Sequence, residues 1–148
     1  MNLRFLRFAA AASLAALLTA CTSSGTSGGS TSGNWSSIGT ISDGNIKVSI
    51  DKNSIRKNGA LATFRDKKVV SKADEEKFTN TPAYKTAIGE WEIHCTNKTY
   101  RLTSLKLFDK HDKVVSAQKY TAAALRPMSV MNGTITEKQY EEVCSKKL

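Results

Sequence analysis

Apolar residues are distributed along the chain in three regimes. From Phe8 to Leu18 they run nearly unbroken, with Ser13 the only interruption. From Thr22 to Gly33 there are none, only Thr, Ser and Gly. Beyond Trp35 they alternate with polar residues. Ile46, Val48 and Ile50 interleave with Lys47, Ser49 and Asp51, the period of two that marks a half-buried strand. The segment DKNSIRKNGA follows as a turn, in which Asp51 caps a short helical turn through Ser54 and Asn58-Gly59 is the hairpin dipeptide. Residues 60–70 return as a strand with Ala62 and Phe64 facing inward. The charged stretch 71–84, with Pro82, reads as a long hairpin loop.

The next strand, Thr86 to Cys95, sets Ala87, Gly89, Trp91, Ile93 and Cys95 on one face and Glu90, Glu92 and His94 on the other. After a turn at Asn97, the strand from Thr99 to Asp109 changes phase, from Tyr100 and Leu102 to Leu105 and Leu107, which predicts a β-bulge near Thr103-Ser104. DKHDK (109–113) turns the chain into a strand over 114–121. Hairpin following hairpin predicts an antiparallel sheet. The period then lengthens. Thr136 and Gln139 form a capping box, and Tyr140, Val143, Cys144 and Leu148 fall on one helical face. The chain is therefore α+β, a sheet closed by a C-terminal helix.

The first two regimes are not part of that domain. Arg4 and Arg7 precede the apolar run, and Leu18-Thr19-Ala20 closes it with small residues, the layout of a secretory leader. The run is about half the ~20 residues of a membrane span. Leu-x-Ala-Cys matches a lipobox, so Cys21 is read as a lipid anchor; the alternative is an ordinary leader with a chance cysteine beside the cut. The expected organisation is a leader over 1–20, a lipidated cysteine and tether over 21–37, and a folded domain over 38–148. The Thr/Ser/Gly stretch has an r.m.s. reach of about 19 Å, which holds the domain close to the membrane.

Charge and cysteine content narrow the chemistry. The formal charge of +9 falls to +7 once Arg4 and Arg7 leave with the leader. The excess lysine is scattered, as on a solvated surface, although such a field also attracts acidic partners. Export and the lack of an aromatic-basic motif argue against nucleic acid. With Cys21 lipidated, Cys95 and Cys144 remain as a pair in an oxidising compartment, and their connectivity is forced. A His94–Cys95 catalytic pair fails because strand neighbours point to opposite faces. The sequence lacks HExxH, GxSxG and a glycine-rich phosphate loop. His111 lies in a charged turn, and Asp109 with Asp112 is too common a pattern to assign a cation. No catalytic residue, metal or cofactor is assigned.

Three segments, VSIDKNSIRKNG, WEIHCTNKTYRLTSLKLFD and RPMSVMNGTITEKQYEEVCSK, together resemble the surface-adhesin protein E family of Gram-negative lipoproteins. The resemblance covers roughly residues 35–147. It departs from the family pattern at Pro127-Met128-Ser129, where Pro-Gly-Ser is usual, and in extra residues around Asn132-Gly133-Thr134. It implies a sheet of about six strands with the C-terminal helix disulfide-bonded to its concave face. It also implies a dimer that binds host matrix proteins and plasminogen, with vitronectin and laminin among the candidate ligands. The residues proposed for such contacts are Arg56 and Lys57 at the first hairpin and Lys67, Lys68 and Lys72 at the start of the long loop. Two functional classes stand: a surface adhesin, and a periplasm-facing lipoprotein supporting envelope assembly. Thr22, rather than Asp, after Cys21 favours the outer membrane.

Overall fold

The computed structural model describes residues 30–148, and the leader, Cys21 and the tether up to Gly29 lie outside the described residues. The alternating segments form one antiparallel sheet. Its main path is β1 (Trp35–Ile41), β2 (Ile46–Asp51), β4 (Leu61–Val70), β5 (Thr86–His94), β6 (Thr99–Phe108) and β7 (Val114–Lys119). Two short strands extend it: β3 (Arg56–Asn58) pairs with β4, and β8 (Met128–Ser129) pairs with β6. Among the described residues there is one α-helix, α1 (Ile135–Cys144), at the C-terminus. The α+β class, the six-stranded path and the tethered helix are those expected from the sequence, while β8 has no signal in it.

Local chemistry explains the turns. Asp51 caps the 3-10 turn Lys52–Ser54 by accepting from the Asn53 amide at 3.1 Å. The first hairpin turns one residue later than Asn58-Gly59, because Asn58 is paired with Leu61. The bend is Gly59-Ala60, and Gly59 supplies the positive φ of 60°. The phase change in β6 is a bulge: Glu90 pairs with Ser104 and Trp91 with Leu102, leaving Thr103 as the extra residue.

The helix starts two residues earlier than the Thr136–Gln139 box predicts. Its N-cap is Thr134, whose hydroxyl accepts from the Glu137 amide at 3.2 Å, and the Glu137 carboxylate accepts from the Gly133 amide at 2.6 Å. Two boxes in staggered register exist in TITEKQ. The earlier one prevails because it leaves Gln139 free to turn inward, where it is 2% exposed and donates to Asp66 at 2.9 Å. The helix also ends sooner than the pattern to Leu148 suggests, at a left-handed Ser145.

Register assigns the inner face of the sheet. Ile50, Ala62, Phe64 and Ile93 lie on it and pack with Val130, Tyr140 and Val143 into the main core. Tyr140 is wholly buried, and its hydroxyl donates to the Cys95 carbonyl at 2.7 Å. Cys95 and Cys144 are disulfide-bonded, so two bonds hold the helix to the end of β5. The Cys95 amide donates to the Ala60 carbonyl at 2.7 Å, which sets this junction beside the first hairpin turn.

Candidate interaction surface

The five basic residues proposed from sequence fall into separate environments. Arg56 and Lys57 are exposed on β3. Arg56 is steadied by donating to the carbonyls of Asn53 and Ile55, at 2.8 and 2.9 Å. Lys72 is exposed on the long loop and paired with Glu75 at 2.8 Å. Lys67 and Lys68, adjacent in sequence, point to opposite faces of the sheet.

Lys68 is held on the inner face. Its ammonium donates to Asp66 at 2.5 Å and lies 5.2 Å from the centre of the Trp91 ring. Asp66 is fully buried and also receives Gln139, so this cluster joins β4, β5 and α1. The other Asp66 oxygen and the Trp91 indole N–H have no hydrogen-bond partner among the described residues. Both fold over Gly89, where a Cβ would lie 2.5 and 2.6 Å from them. Glycine is required here for space, not for backbone conformation. Next to this cluster the long loop lays Phe78 and Tyr84, edge to face at 5.1 Å, over Ala87 and Leu105, enclosing a cleft of about 370 Å³. Burial, followed by the charges of Glu76 and Asp66, raises the pKa of Tyr84.

Lys67 belongs to a latch on the outer face. Its ammonium lies 4.5 Å from the centre of the Trp35 ring, with the Arg65 guanidinium 5.3 Å away on the same indole. Burial there lowers the Lys67 pKa, and the charge of Asp112 opposes that shift. Arg65 pairs with Asp51 and donates to the Ser32 carbonyl at 3.1 Å, while the Trp35 indole donates to the Thr31 carbonyl at 2.9 Å. The last residues of the tether are thereby pinned to the sheet.

The latch carries a pH signature. Burial alone would raise the Asp51 pKa, but hydrogen bonds from Arg65 and from the Asn34 and Asn53 amides, with the Arg65 charge, outweigh it and hold the carboxyl below its ordinary 3.8. A depressed folded-state pKa contributes stability that is full above the unfolded value and lost as pH falls through the folded one. Asp51→Asn should therefore be less stable than the wild type at pH 7, and the gap in melting temperature should close below pH 3.8. An unchanged gap at low pH would exclude the ion pair as its cause.

One group of accessible cations gathers where the first hairpin meets the helix. Lys57 reaches Ser145 at 3.3 Å, so the first hairpin and the C-terminus of α1 are neighbours. Lys57, Lys146 and Lys147 belong to this corner and all are exposed, whereas Arg56, beside Lys57 on β3, points to the opposite face of the sheet. Sequence reasoning missed the two helix-end lysines because about ninety residues separate them from the hairpin. The signal that finds them is the disulfide: Cys144 precedes them, and its partner Cys95 abuts the hairpin turn. Among the described residues no cluster of His, Cys, Asp and Glu could hold a metal ion. His111 is in its exposed turn, and His94 accepts from the Asn97 amide at 3.1 Å. Nor is any helix among them long and apolar enough to cross a membrane.

The described residues thus form an antiparallel sheet whose terminal helix is stapled by a disulfide and followed by exposed lysines beside the first hairpin. The chain belongs to the surface-adhesin protein E family, whose model matches residues 35–145. Two crystal structures of Haemophilus influenzae protein E share the fold. Crystal form II superposes with a TM-score of 0.50 at 13% identity, covering 74% of this chain and 87% of that one. The selenomethionine form gives 0.50 at 12% identity, covering 75% and 87%. No curated protein sequence matches the chain.

Proposed function

We propose that this protein is an outer-membrane lipoprotein, anchored through Cys21, that binds host extracellular proteins through the basic corner formed by Lys57, Lys146 and Lys147. The observation that carries this reading is the assembly of three exposed cations, far apart in sequence, on the scaffold of an adhesin family. Rim charges of this kind act chiefly on encounter rate and are weakened by salt. Lys67 and Lys68 have structural partners, so their contribution is to the fold. Lys72 adds to the field but not to the corner.

The test is binding to vitronectin, laminin and plasminogen at physiological ionic strength, both by the purified chain and by intact cells. Replacing the three corner cations with Gln should weaken binding about ten-fold, the order by which electrostatic steering changes association rates. Lys72→Gln should leave binding unchanged, and Cys21→Ala should abolish capture by cells. If the wild type binds none of the three above a scrambled basic control, the adhesin reading fails. Protection from protease on intact cells would then favour the periplasm-facing role.

A further inference from the structure

We propose that the groove between β1 and α1 accepts an extended acidic peptide as an added strand of the sheet. β1 is an outer strand of the main path, paired only with β2. The backbone groups on the other side of Ser36–Ile41 make no hydrogen bond to any described residue. An unpaired edge of this kind is a template for another extended chain. β7 also has a free edge, but no described element stands beside it. Along β1 the helix supplies a wall.

That wall is one face of α1. Lys138, Glu141, Glu142 and Ser145 recur at i, i+3, i+4 and i+7, and with Lys146 and Lys147 they border a groove of about 610 Å³. Ser37 and Ile38 of β1 form its other side. Ile38 is the bulged residue of the strand, since the pairing shifts between Ser37 and Gly39. Gly39, at φ 145°, lets the helix close on the strand there. A Cβ would lie 3.2 Å from both Ile135 and Lys138. The groove is thus pinched at Gly39 and widens toward Ser37.

Charge selects the occupant. Glu142 is paired with Lys52 and Glu141 with Lys147, whereas Lys138 and Lys146 have no ion-pair partner among the described residues. The groove therefore presents two uncompensated cations along a strand edge about 23 Å long. In an added strand, alternate side chains face the helix, so a segment with Asp or Glu at every second position meets this wall. A second copy paired through its own β1 would instead bring two such lysine rows together. This inference deepens the adhesin reading by naming the chemistry of the partner, and depends on it only for the partner's source.

The experiment titrates the ¹⁵N-labelled mature chain with a capped heptapeptide of alternating Asp and Val, and with a control carrying Lys in place of Asp. Shift changes and slowed amide exchange should be confined to β1 and the groove face of α1, and the Lys peptide should produce neither. Lys138→Glu with Lys146→Glu should weaken binding at least ten-fold, while Lys119→Glu on β7 leaves it unchanged. Gln replacements, with melting temperature as the control, serve if the Glu variant is unstable. Shifts spread over all surface lysines, equal loss with Lys119→Glu, no binding at millimolar peptide, or β1 protection in a peptide-free dimer would each overturn the proposal. Peptide binding that persists in a chain unable to bind host proteins would overturn the adhesin reading and leave the groove standing.

Discussion

Reduction of the Cys95–Cys144 disulfide should lower the melting temperature of the domain by roughly 15–25 °C. The bond closes a loop with a sequence separation of 49, and in the chain-entropy model such a cross-link stabilises by about 4 kcal/mol. For a domain of this size each kcal/mol corresponds to roughly 4–6 °C. Melts followed by circular dichroism with and without reductant, and of Cys144→Ser, measure the effect. Loss should be concentrated in α1. The strands keep their ladders, whereas the helix contacts the sheet mainly at β1 and β4. Amide exchange should accelerate at residues 135–144 before it does in β4 and β5. Two free thiols in protein isolated from the envelope would remove the bond from the account altogether.

Tyr140→Ala should be comparably severe, costing about 3–5 kcal/mol, the range for deleting a large aromatic side chain from a core. Tyr140 is completely buried in the cluster that joins helix to sheet. Its truncation also strands the Cys95 carbonyl, which receives its hydroxyl. Tyr140→Phe separates the two effects: it keeps the ring, loses the hydrogen bond and should cost about 1–3 kcal/mol. Because the hydroxyl and the disulfide fasten the same junction, the effects of Tyr140→Ala and Cys144→Ser should not add. Chemical denaturation of both single variants and the double variant forms the required cycle. Strict additivity would show that the two fastenings act independently.

The strand pattern was legible because period-two alternation is a local property. Ile46, Val48 and Ile50 needed no partner to declare their face, and the slip between Leu102 and Leu105 already revealed the bulge at Thr103. The pairing of Cys95 with Cys144 followed from counting thiols. Less legible were features decided by competition between neighbours. The helix had two capping boxes available, and only the burial of Gln139 on Asp66 chose Thr134. The hairpin dipeptide was displaced by one residue because the β3–β4 register pairs Asn58 with Leu61. Least legible was the interaction surface. Lys67 and Lys68 look like a basic pair in sequence, yet the pleat sends them to opposite faces and both find structural partners. Lys146 and Lys147 look like a solvated tail, yet the disulfide brings them to the hairpin.

The latch around Trp35 has a mechanical meaning. Any pull on the chain preceding Ser30 enters the fold at the open end of the β1–β2 hairpin, where Trp35 faces Asp51. Load applied there acts as on a zipper, taking rungs one at a time instead of shearing them together. The contacts of Arg65 with Asp51 and Ser32, and of Trp35 with Thr31 and Lys67, stand ahead of the first rung and tie it to the central strand β4. Tension is thereby passed past the edge strand into the middle of the sheet before any ladder bond bears it.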